Sequence, residues 1–194
     1  MNTIAHRGGM AKGMQNTPAG VRLAVRHEAD FVELDVVRAA DGEFHCAHYG
    51  WNTKSELRDC LAELGTHMRL IAHLKGNCTE ADLICVAEYL APHFPWEKVI
   101  FASQWSSVLW RMRQLMPEVR LARFGRLPAV AALWKQQPWQ CCMINHAVLT
   151  RWFVKALQRR GHEVFASCVW ELQSRRSVKE LGVDGAFVNL HEGK

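Results

Sequence analysis

Three short polar motifs in this chain contain residue types that can act on a phosphate group. The first is His6 and Arg7 in IAHRGG, which lie where an apolar run ends and two glycines begin a loop. An imidazole transfers protons near neutral pH, while a guanidinium binds an anion through two donors and keeps its charge. A pair this short also occurs at ordinary polar strand ends. The phosphate interpretation therefore depends on the other two motifs.

The second motif is a pair of carboxylates, Glu33 and Asp35, in VELDV. Residues two apart on a strand point to the same side of the sheet, so the two negative charges would repel each other unless a cation lies between them. A hard divalent ion such as magnesium or calcium suits oxygen ligands. Both residues could instead face solvent on an edge strand, but the apolar residues that flank them favour a buried strand. The pair therefore predicts a metal site.

The third motif, His73 and Lys75 in IAHLKG, has the same spacing, so these two side chains also share a face. His73 can donate a nitrogen ligand, and Lys75 can supply positive charge to a phosphate oxygen. A lone histidine on a strand is more often structural. The expected position of His73 facing the carboxylate pair favours the metal ligand here.

These motifs lie in a repeating order of elements, because short apolar runs alternate with longer segments of helical period. The pattern predicts eight strands, centred near Ile4, Val32, Ile71, Ile100, Leu121, Met143, Val164 and Phe187. Eight such repeats predict a compact α/β fold, a (β/α)8 TIM barrel, formed as a single domain over residues 1–194, with chemistry at the carboxyl ends of the strands. The chain is short for that fold, so a doubly wound open sheet remains the alternative.

Local signals give the bounds of several elements. TPAGVRLAVRHEA predicts a helix over Thr17–Ala29, with Thr17 as the cap, a proline in the first turn, and Val21, Ala24, Val25 and Glu28 at helical spacing. DGEFHCAHYG predicts an extended excursion running antiparallel to the second strand. SELRDCLAELG and PAVAALWKQQ predict two of the later helices.

Composition narrows the class of protein. The net charge of +5 comes from lysines and arginines that show no clustered run, so we expect a small-molecule partner and no nucleic acid. No stretch is long and apolar enough to span a bilayer, so we expect no stable membrane insertion. Seven cysteines without a CxxC motif predict reduced, mostly buried thiols. The first predicted strand begins at once and leaves no room for a signal peptide, so we expect a cytoplasmic protein. Composition gives no oligomeric state.

Taken in order, the motifs resemble the glycerophosphodiester phosphodiesterase family. That family has HRG, ENT before a helix, a GAD-x-x-E-x-D-V strand, a DG turn leading to HD, an E-x-K strand, and a late VW-T-x-N strand followed by GVDG. This chain has AHRGG, QNTPAG, EADFVELDV, ADGEFHCAHYG, LIAHLKG, CVWELQ and LGVDGAFVN in the same order. The resemblance spans nearly the whole chain.

The resemblance implies an eight-stranded barrel and a metal-dependent phosphoric diester hydrolase acting in lipid metabolism. Its substrates would be glycerophosphodiesters or related lysophospholipid headgroups, cleaved to an alcohol and a phosphomonoester. The matching positions are His6 and His48 for the catalytic histidines, Glu33 and Asp35 for the metal carboxylates, Arg7 and Lys75 for phosphate contacts, and Trp170 for the tryptophan beside the substrate.

Three residues depart from the family pattern: Gln15 replaces the glutamate of ENT, Tyr49 the aspartate after the second histidine, and His73 the glutamate of E-x-K. The inserted region that usually follows the second histidine is also missing. An imidazole ligand would shift metal preference from magnesium or calcium towards manganese or another transition ion. The departures also motivate an alternative, a catalytically degenerate barrel that binds a phosphorylated metabolite or a protein partner. Unrelated isomerase chemistry on a barrel is a third reading, since fold alone does not fix function.

Overall fold

The structure is a computed structural model that describes residues 1–11, 13–48, 55–64, 68–125, 136–169 and 172–190. The strands in these ranges are β1 (Asn2–Ala5), β2 (Phe31–Arg38), β3 (Phe44–Cys46), β4 (Ser55–Glu56), β5 (Arg69–Leu74), β6 (Val99–Ser103), β7 (Arg120–Phe124), β8 (Cys141–Asn145), β9 (Glu163–Val169) and β10 (Gly185–Val188). The α-helices are α1 (Pro18–Arg26), α2 (Leu57–Ala62), α3 (Glu80–Leu90), α4 (Ser106–Leu115), α5 (Arg151–Gln158) and α6 (Leu172–Leu181).

Eight of these strands form a closed parallel barrel. The sheet order is β1, β10, β9, β8, β7, β6, β5 and β2, and β1 pairs with β2 to close the ring. The pairing of β1 with both neighbours is parallel, with Asn2 beside Gly185 and Ile4 beside Phe31. The (β/α)8 prediction is therefore confirmed, and the open sheet is wrong. All eight predicted strand centres lie in or next to barrel strands.

The excursion after β2 forms a small antiparallel addition to the barrel. β3 pairs antiparallel with β2, placing Cys46 beside Val36, as the sequence predicts. The predicted helix at SELRDCLAELG begins later than expected, because Ser55 and Glu56 pair with β3 as the short strand β4. The helix starts at Leu57, and its apolar residues pack inward. The predicted helix at PAVAALWKQQ lies almost entirely outside the described residues.

Helix α1 follows the first loop and carries it against the barrel. The Thr17 side chain accepts a hydrogen bond from the Gly20 amide, and Pro18 occupies the first turn, as predicted. The helix ends at Arg26 and not at Ala29, because Glu28 has a left-handed φ of 50° that a helix cannot continue through. Of the apolar residues at helical spacing, Val21 and Ala24 are fully buried, whereas Val25 is 36% exposed.

The barrel interior is apolar at its lower end, near the amino ends of the strands, and polar at its upper end, near their carboxyl ends. The lower cluster consists of ten buried residues: Ile4, Phe31, Ile71, Ile100, Ala102, Ala122, Cys141, Met143, Phe165 and Phe187. Directly above it on the same strand faces lie Glu33, Asp35 and His73, which are 1%, 1% and 7% exposed. A close-packed floor thus leaves water access only from the carboxyl ends of the strands.

All seven cysteines are free thiols, and Cys46, Cys60, Cys141 and Cys142 are buried. Burial raises the pKa of Cys141 and of Cys142 to about 12, so both thiols stay protonated at neutral pH. The prediction of reduced, mostly buried cysteines is confirmed. None of the helices in the described ranges is long and apolar enough to cross a bilayer.

Gly20 allows α1 to approach the loop that follows β1, because a β-carbon there would lie 2.2 Å from the Met14 carbonyl oxygen. We expect Gly20→Ala to lower the free energy of unfolding by about 3 kcal/mol, since backbone must move to relieve the clash. In an open helix the same change would stabilise by about 1 kcal/mol. Urea unfolding of both proteins measures the difference.

Gly42→Ala is the matched control for this prediction. Gly42 has a left-handed φ of 88° but no heavy atom within 4 Å of an added β-carbon. We expect it to cost about 1 kcal/mol through backbone strain alone. Equal losses in the two variants would mean that the contact with Met14 does not constrain α1.

Candidate active site

The loop after β1 places Arg7 over the carboxyl end of β2. The Arg7 amide donates a hydrogen bond to Glu33 Oε2 at 2.9 Å, and its φ of 51° is left-handed. Asn16 is also left-handed, with a φ of 56°, and its amide donates to the Arg7 carbonyl at 2.8 Å. Non-glycine residues in this conformation are strained and occur preferentially at functional sites. The loop therefore holds two strained residues against the carboxylate pair.

Asp35 is the most highly connected side chain of the site. Its Oδ2 accepts from Asn16 Nδ2 at 3.1 Å and pairs with Arg7 Nε at 3.2 Å. Its Oδ1 lies 2.6 Å from Lys75 Nζ and 3.2 Å from His73 Nδ1. Burial alone would raise the pKa of Asp35, but the His73 hydrogen bond and the Lys75 charge hold that pKa well below its ordinary value. Asp35 is therefore ionised at all physiological pH values.

His73 lies beside Asp35 because β5 pairs with β2 in a register that makes these residues neighbours. Its Nδ1 is 3.2 Å from Glu33 Oε1 and 3.0 Å from Lys75 Nζ. The ring stacks on Phe124, with centroids 4.1 Å apart and planes 17° apart. An ammonium only donates, so Nδ1 either accepts from Lys75 or donates to a carboxylate. The stacked ring holds Nδ1 towards the carboxylates in either case.

The three predicted metal ligands do come together. One ligand atom from each of Glu33, Asp35 and His73 lies within 4.8 Å of the others, and all three residues are buried. Two carboxylates and an imidazole are a donor set that divalent ions bind. His73 Nε2 is buried and has no hydrogen-bond partner among the described residues. No hydrogen bond of Nε2 to those residues therefore competes with the orientation in which Nδ1 faces the carboxylates. The residues fit a divalent ion.

The two predicted catalytic histidines lie at the same end of the barrel. His6 follows β1, its amide donates to the Val188 carbonyl at 3.2 Å, and its ring meets Phe187 edge-on at 6.0 Å. His48 follows β3 and is half-buried. The Ala47 amide next to it donates to the Asp35 carbonyl at 3.0 Å, which fixes the chain there beside the carboxylates.

Burial lowers the pKa of His6, and the negative charge of Glu33 opposes that shift without cancelling it. Desolvation disfavours the charged imidazolium, so His6 is neutral at pH 7. Asn189, which follows β10, interacts with the His6 side chain and opposes the lowering of its pKa. A neutral imidazole with a fixed orientation can accept a proton from a hydroxyl or water.

Two positions that depart from the family pattern can be compared with the structure. Gln15 Oε1 accepts from Arg7 Nη1 at 2.7 Å, so the amide retains a contact that a carboxylate could make. His73 contacts both carboxylates. Tyr49 and Trp170, the latter predicted to bind substrate, lie outside the described residues.

Three contacts in the site were not predicted from the sequence. Asn16 belongs to QNTPAG, so a signal existed, but its hydrogen bonds to Asp35 depend on its left-handed backbone. Asn189 likewise belongs to a motif, GVDGAFVN. Phe124 stacks on His73 from two strands away, and nothing in its local sequence indicates this.

Comparisons with known proteins agree with the sequence motifs. No protein-family model matches this chain. It is 24% identical over 226 residues to the Bacillus subtilis (strain 168) protein YhdW, whose name assigns it provisionally to the glycerophosphodiester phosphodiesterases. The match covers 95% of this chain and 93% of that protein.

Solved structures share the fold across nearly the whole chain. A glycerophosphodiester phosphodiesterase from Parabacteroides distasonis is 17% identical with a TM-score of 0.83, over 97% of this chain and 92% of that one. An Oleispira antarctica phosphodiesterase, solved with its product sn-glycerol-3-phosphate, is 19% identical with a TM-score of 0.80, over 97% and 92%. The chain thus resembles the glycerophosphodiester phosphodiesterase family in both sequence and fold, as the motifs predict.

The lowered pKa of His6 gives a titration that can be measured directly. In metal-free protein we expect the His6 imidazole to titrate at a midpoint below 6.5, observed by NMR and assigned with His6→Gln. Since the unfolded chain binds this proton more readily, His6 contributes full stability above pH 6.5 and less as the pH falls below it. A midpoint at or above 6.5 would contradict the burial of this ring.

Proposed function

We propose that this chain, as one glycerophosphodiester phosphodiesterase-like domain over residues 1–194, is a metal-dependent phosphoric diester hydrolase. It cleaves glycerophosphodiesters or lysophospholipid headgroups to an alcohol and a phosphomonoester. The observation that carries the proposal is the convergence of Glu33, Asp35 and His73 on one point, with Arg7 and Lys75 beside them. The resemblance to named phosphodiesterases supports the same reaction.

The divalent ion would be held by Glu33, Asp35 and His73. When bound, it supplies Lewis-acid polarisation of a nonbridging phosphate oxygen. The family resemblance favours magnesium or calcium, whereas the His73 imidazole favours manganese or another transition ion.

Arg7 and Lys75 neutralise the phosphate oxygens of the substrate. In the structure both contact Asp35, from opposite oxygens of its carboxylate, so their charges are already fixed before a substrate arrives. Gln15 holds Arg7 Nη1 and thereby sets the plane of the guanidinium. Fixed positive charge stabilises the transition state of phosphoryl transfer without reorganisation. Trp170 is proposed to pack beside the alcohol portion.

His6 is assigned as the general base and His48 as the general acid. His6 takes a proton from water, or from a neighbouring hydroxyl of the substrate, as that oxygen forms a bond to phosphorus. Attack by water gives the phosphomonoester directly, whereas attack by the hydroxyl gives a cyclic phosphate that water must then open. The bond from phosphorus to the leaving oxygen breaks, and His48 gives that oxygen a proton. The lowered pKa of His6 keeps it ready to accept a proton at pH 7.

The replacement of a carboxylate by His73 also favours a second candidate, a degenerate barrel that binds a phosphorylated metabolite or protein partner without turnover. Two contacts favour the enzyme. Gln15 still orients Arg7, and His73 still points a donor atom at the carboxylates. Seven free thiols favour a reducing compartment, so we place the enzyme in the cytoplasm, in lipid metabolism.

Removing either histidine tests the reaction. We expect His6→Ala and His48→Ala each to lower kcat on a glycerophosphodiester by roughly 10²–10⁴-fold, the range for general acid–base groups. Release of alcohol and phosphomonoester is followed across a panel of headgroups with each divalent ion. Circular dichroism confirms that the variants fold.

His45→Ala is the matched control, because His45 is a half-buried histidine on β3 near His48 whose ring lies 3.7 Å from Asp41 and not in the site. It should leave kcat within about twofold of wild type. If both His6→Ala and His48→Ala turned over at the wild-type rate, the phosphodiesterase proposal would be wrong. An inactive wild type that binds glycerol 3-phosphate would favour the degenerate barrel.

The ligand role of His73 is tested by metal preference. We expect wild type to bind manganese more tightly than magnesium or calcium, and His73→Glu to shift preference back towards magnesium and calcium, since a third carboxylate adds charge and a hard oxygen. Calorimetric titration of apo protein with each ion measures this without turnover. Unchanged affinities for all three ions in His73→Glu would mean that His73 is not a ligand.

A further inference from the structure

The cationic residues of this chain are concentrated in one part of the barrel. Residues 101–160, which run from β6 to α5, contain ten arginines and lysines but one acidic residue, Glu118, so this segment carries +9. The whole chain has 24 basic and 19 acidic residues, so the other 134 residues contain 14 and 18 and carry −4. The net charge of +5 is thus distributed unevenly along the chain. The sequence analysis found no clustered run of cations, and the imbalance comes mainly from the lack of acidic residues in this segment.

Most of the charge in this segment has no acidic counterpart. Eight of its ten cations lie in the described ranges, and among those residues only Arg120 forms an ion pair, with Glu163. Arg111, Arg113 and Arg123 donate only to neutral oxygens of side chains and carbonyls. Their positive charge is therefore not cancelled by an ion pair with a carboxylate of the described residues, and it contributes to a positive potential over this part of the molecule.

The same segment contains the exposed tryptophans of the described chain. Trp105, Trp110 and Trp152 are 45%, 47% and 70% exposed. An indole combines a large apolar ring with an N–H donor, and this combination is enriched at protein and membrane interfaces. Trp105 precedes α4, and its amide donates to Ser103 Oγ at 3.1 Å, so its backbone is anchored while its ring faces outward.

On α5, Trp152 lies between cations. Arg151, Trp152 and Lys155 are all exposed, and spacings of three and four residues put them on one side of the helix. The opposite side buries Phe153, Val154 and Leu157 against the barrel. An indole flanked by lysine and arginine is the composition that settles at a membrane interface, with the ring among headgroups and the cations against lipid phosphates.

This surface lies at the catalytic end of the barrel. Trp105 follows the carboxyl end of β6, and Arg151 and Trp152 form the first turn of α5, so they border the end where Glu33 and Asp35 lie. We propose that Trp105, Trp152, Arg151 and Lys155 dock this end reversibly on an anionic phospholipid bilayer. Docking presents the site to lysophospholipids that reside in the membrane, which deepens the proposed function and rests on it for the substrate.

A nucleic acid is the other anionic polymer that such charge could attract. Proteins that bind single strands combine a positively charged groove with aromatic rings on which successive bases stack. Here Trp105 precedes α4, Trp110 lies on α4 and Trp152 lies on α5, so the exposed indoles belong to separate elements on the outside of the barrel, an arrangement that suits a broad surface better than a single strand. The observations therefore favour the lipid surface.

Binding to large vesicles tests the surface without turnover. We expect wild type to co-sediment with phosphatidylcholine vesicles containing phosphatidylglycerol, with a blue shift of tryptophan fluorescence, and to bind pure phosphatidylcholine about tenfold or more weakly. Added salt should weaken the binding. The double variant Trp105→Ser/Trp152→Ser should lose about tenfold in affinity for the anionic vesicles or more, and Arg151→Gln/Lys155→Gln should lose most of the preference for them.

Ile84→Ser and Arg58→Gln are the matched controls, because Ile84 is an exposed apolar residue on α3 and Arg58 an exposed cation on α2, both outside the cationic segment. Both should bind vesicles like wild type. No binding of wild type to anionic vesicles, or equal loss in the controls, would overturn the proposal. Tighter binding to an oligonucleotide that depends on the same four residues would overturn it in favour of a nucleic-acid surface.

Hydrolysis of soluble glycerophosphocholine, measured on the same proteins, separates this proposal from the proposed function. The tryptophan variant should keep the wild-type rate on the soluble diester but lose rate on lysophospholipid in vesicles. Vesicle binding by a protein that hydrolyses neither substrate would refute the phosphodiesterase and leave the docking surface standing. Hydrolysis by a protein that does not bind anionic vesicles would refute the docking surface and leave the phosphodiesterase proposal standing.

Discussion

The buried charge of Asp35 is the constraint on which the catalytic end of this barrel depends. A carboxylate 1% exposed is stable only if partners replace the water it has lost. Those partners come from two parts of the chain outside β2: Arg7 and Asn16 from the loop between β1 and α1, and His73 with Lys75 from the end of β5. One carboxylate thus ties three elements together, and loss of a single partner would leave a buried charge uncompensated.

The charges within this cluster are balanced. Glu33 and Asp35 supply two negative charges, and Arg7 and Lys75 supply two positive charges, while His73 adds a neutral or positive ring. A divalent ion held by Glu33, Asp35 and His73 would therefore add positive charge to a cluster whose cations already contact Asp35. The arrangement explains how a site with His73 in place of a third carboxylate can be stable, since the charges that are present satisfy one another.

The sequence predicted this fold well where periodicity was strong. All eight barrel strands follow apolar runs, and strand alternation correctly placed Glu33 with Asp35 and His73 with Lys75. It failed where structure depends on few residues or on distant ones. Ser55 and Glu56 are too short a segment to show a strand pattern, and the early end of α1 depends on the left-handed Glu28. Phe124 stacks on His73 only because barrel closure brings β7 near β5, which no local pattern encodes.

Barrel closure also has a consequence for how the protein is made. β1 pairs with β10, so Asn2 lies beside Gly185, and the ring cannot close until the last described strand is available. Contacts of such long sequence separation form late and slow folding. On the ribosome, the earlier strands would emerge with two unpaired sheet edges, and transiently open edges favour aggregation. The pairing of β1 with β10 can therefore form only after most of the chain has been synthesised. The carboxyl end of the barrel, where the candidate site lies, is complete only once this pairing has formed.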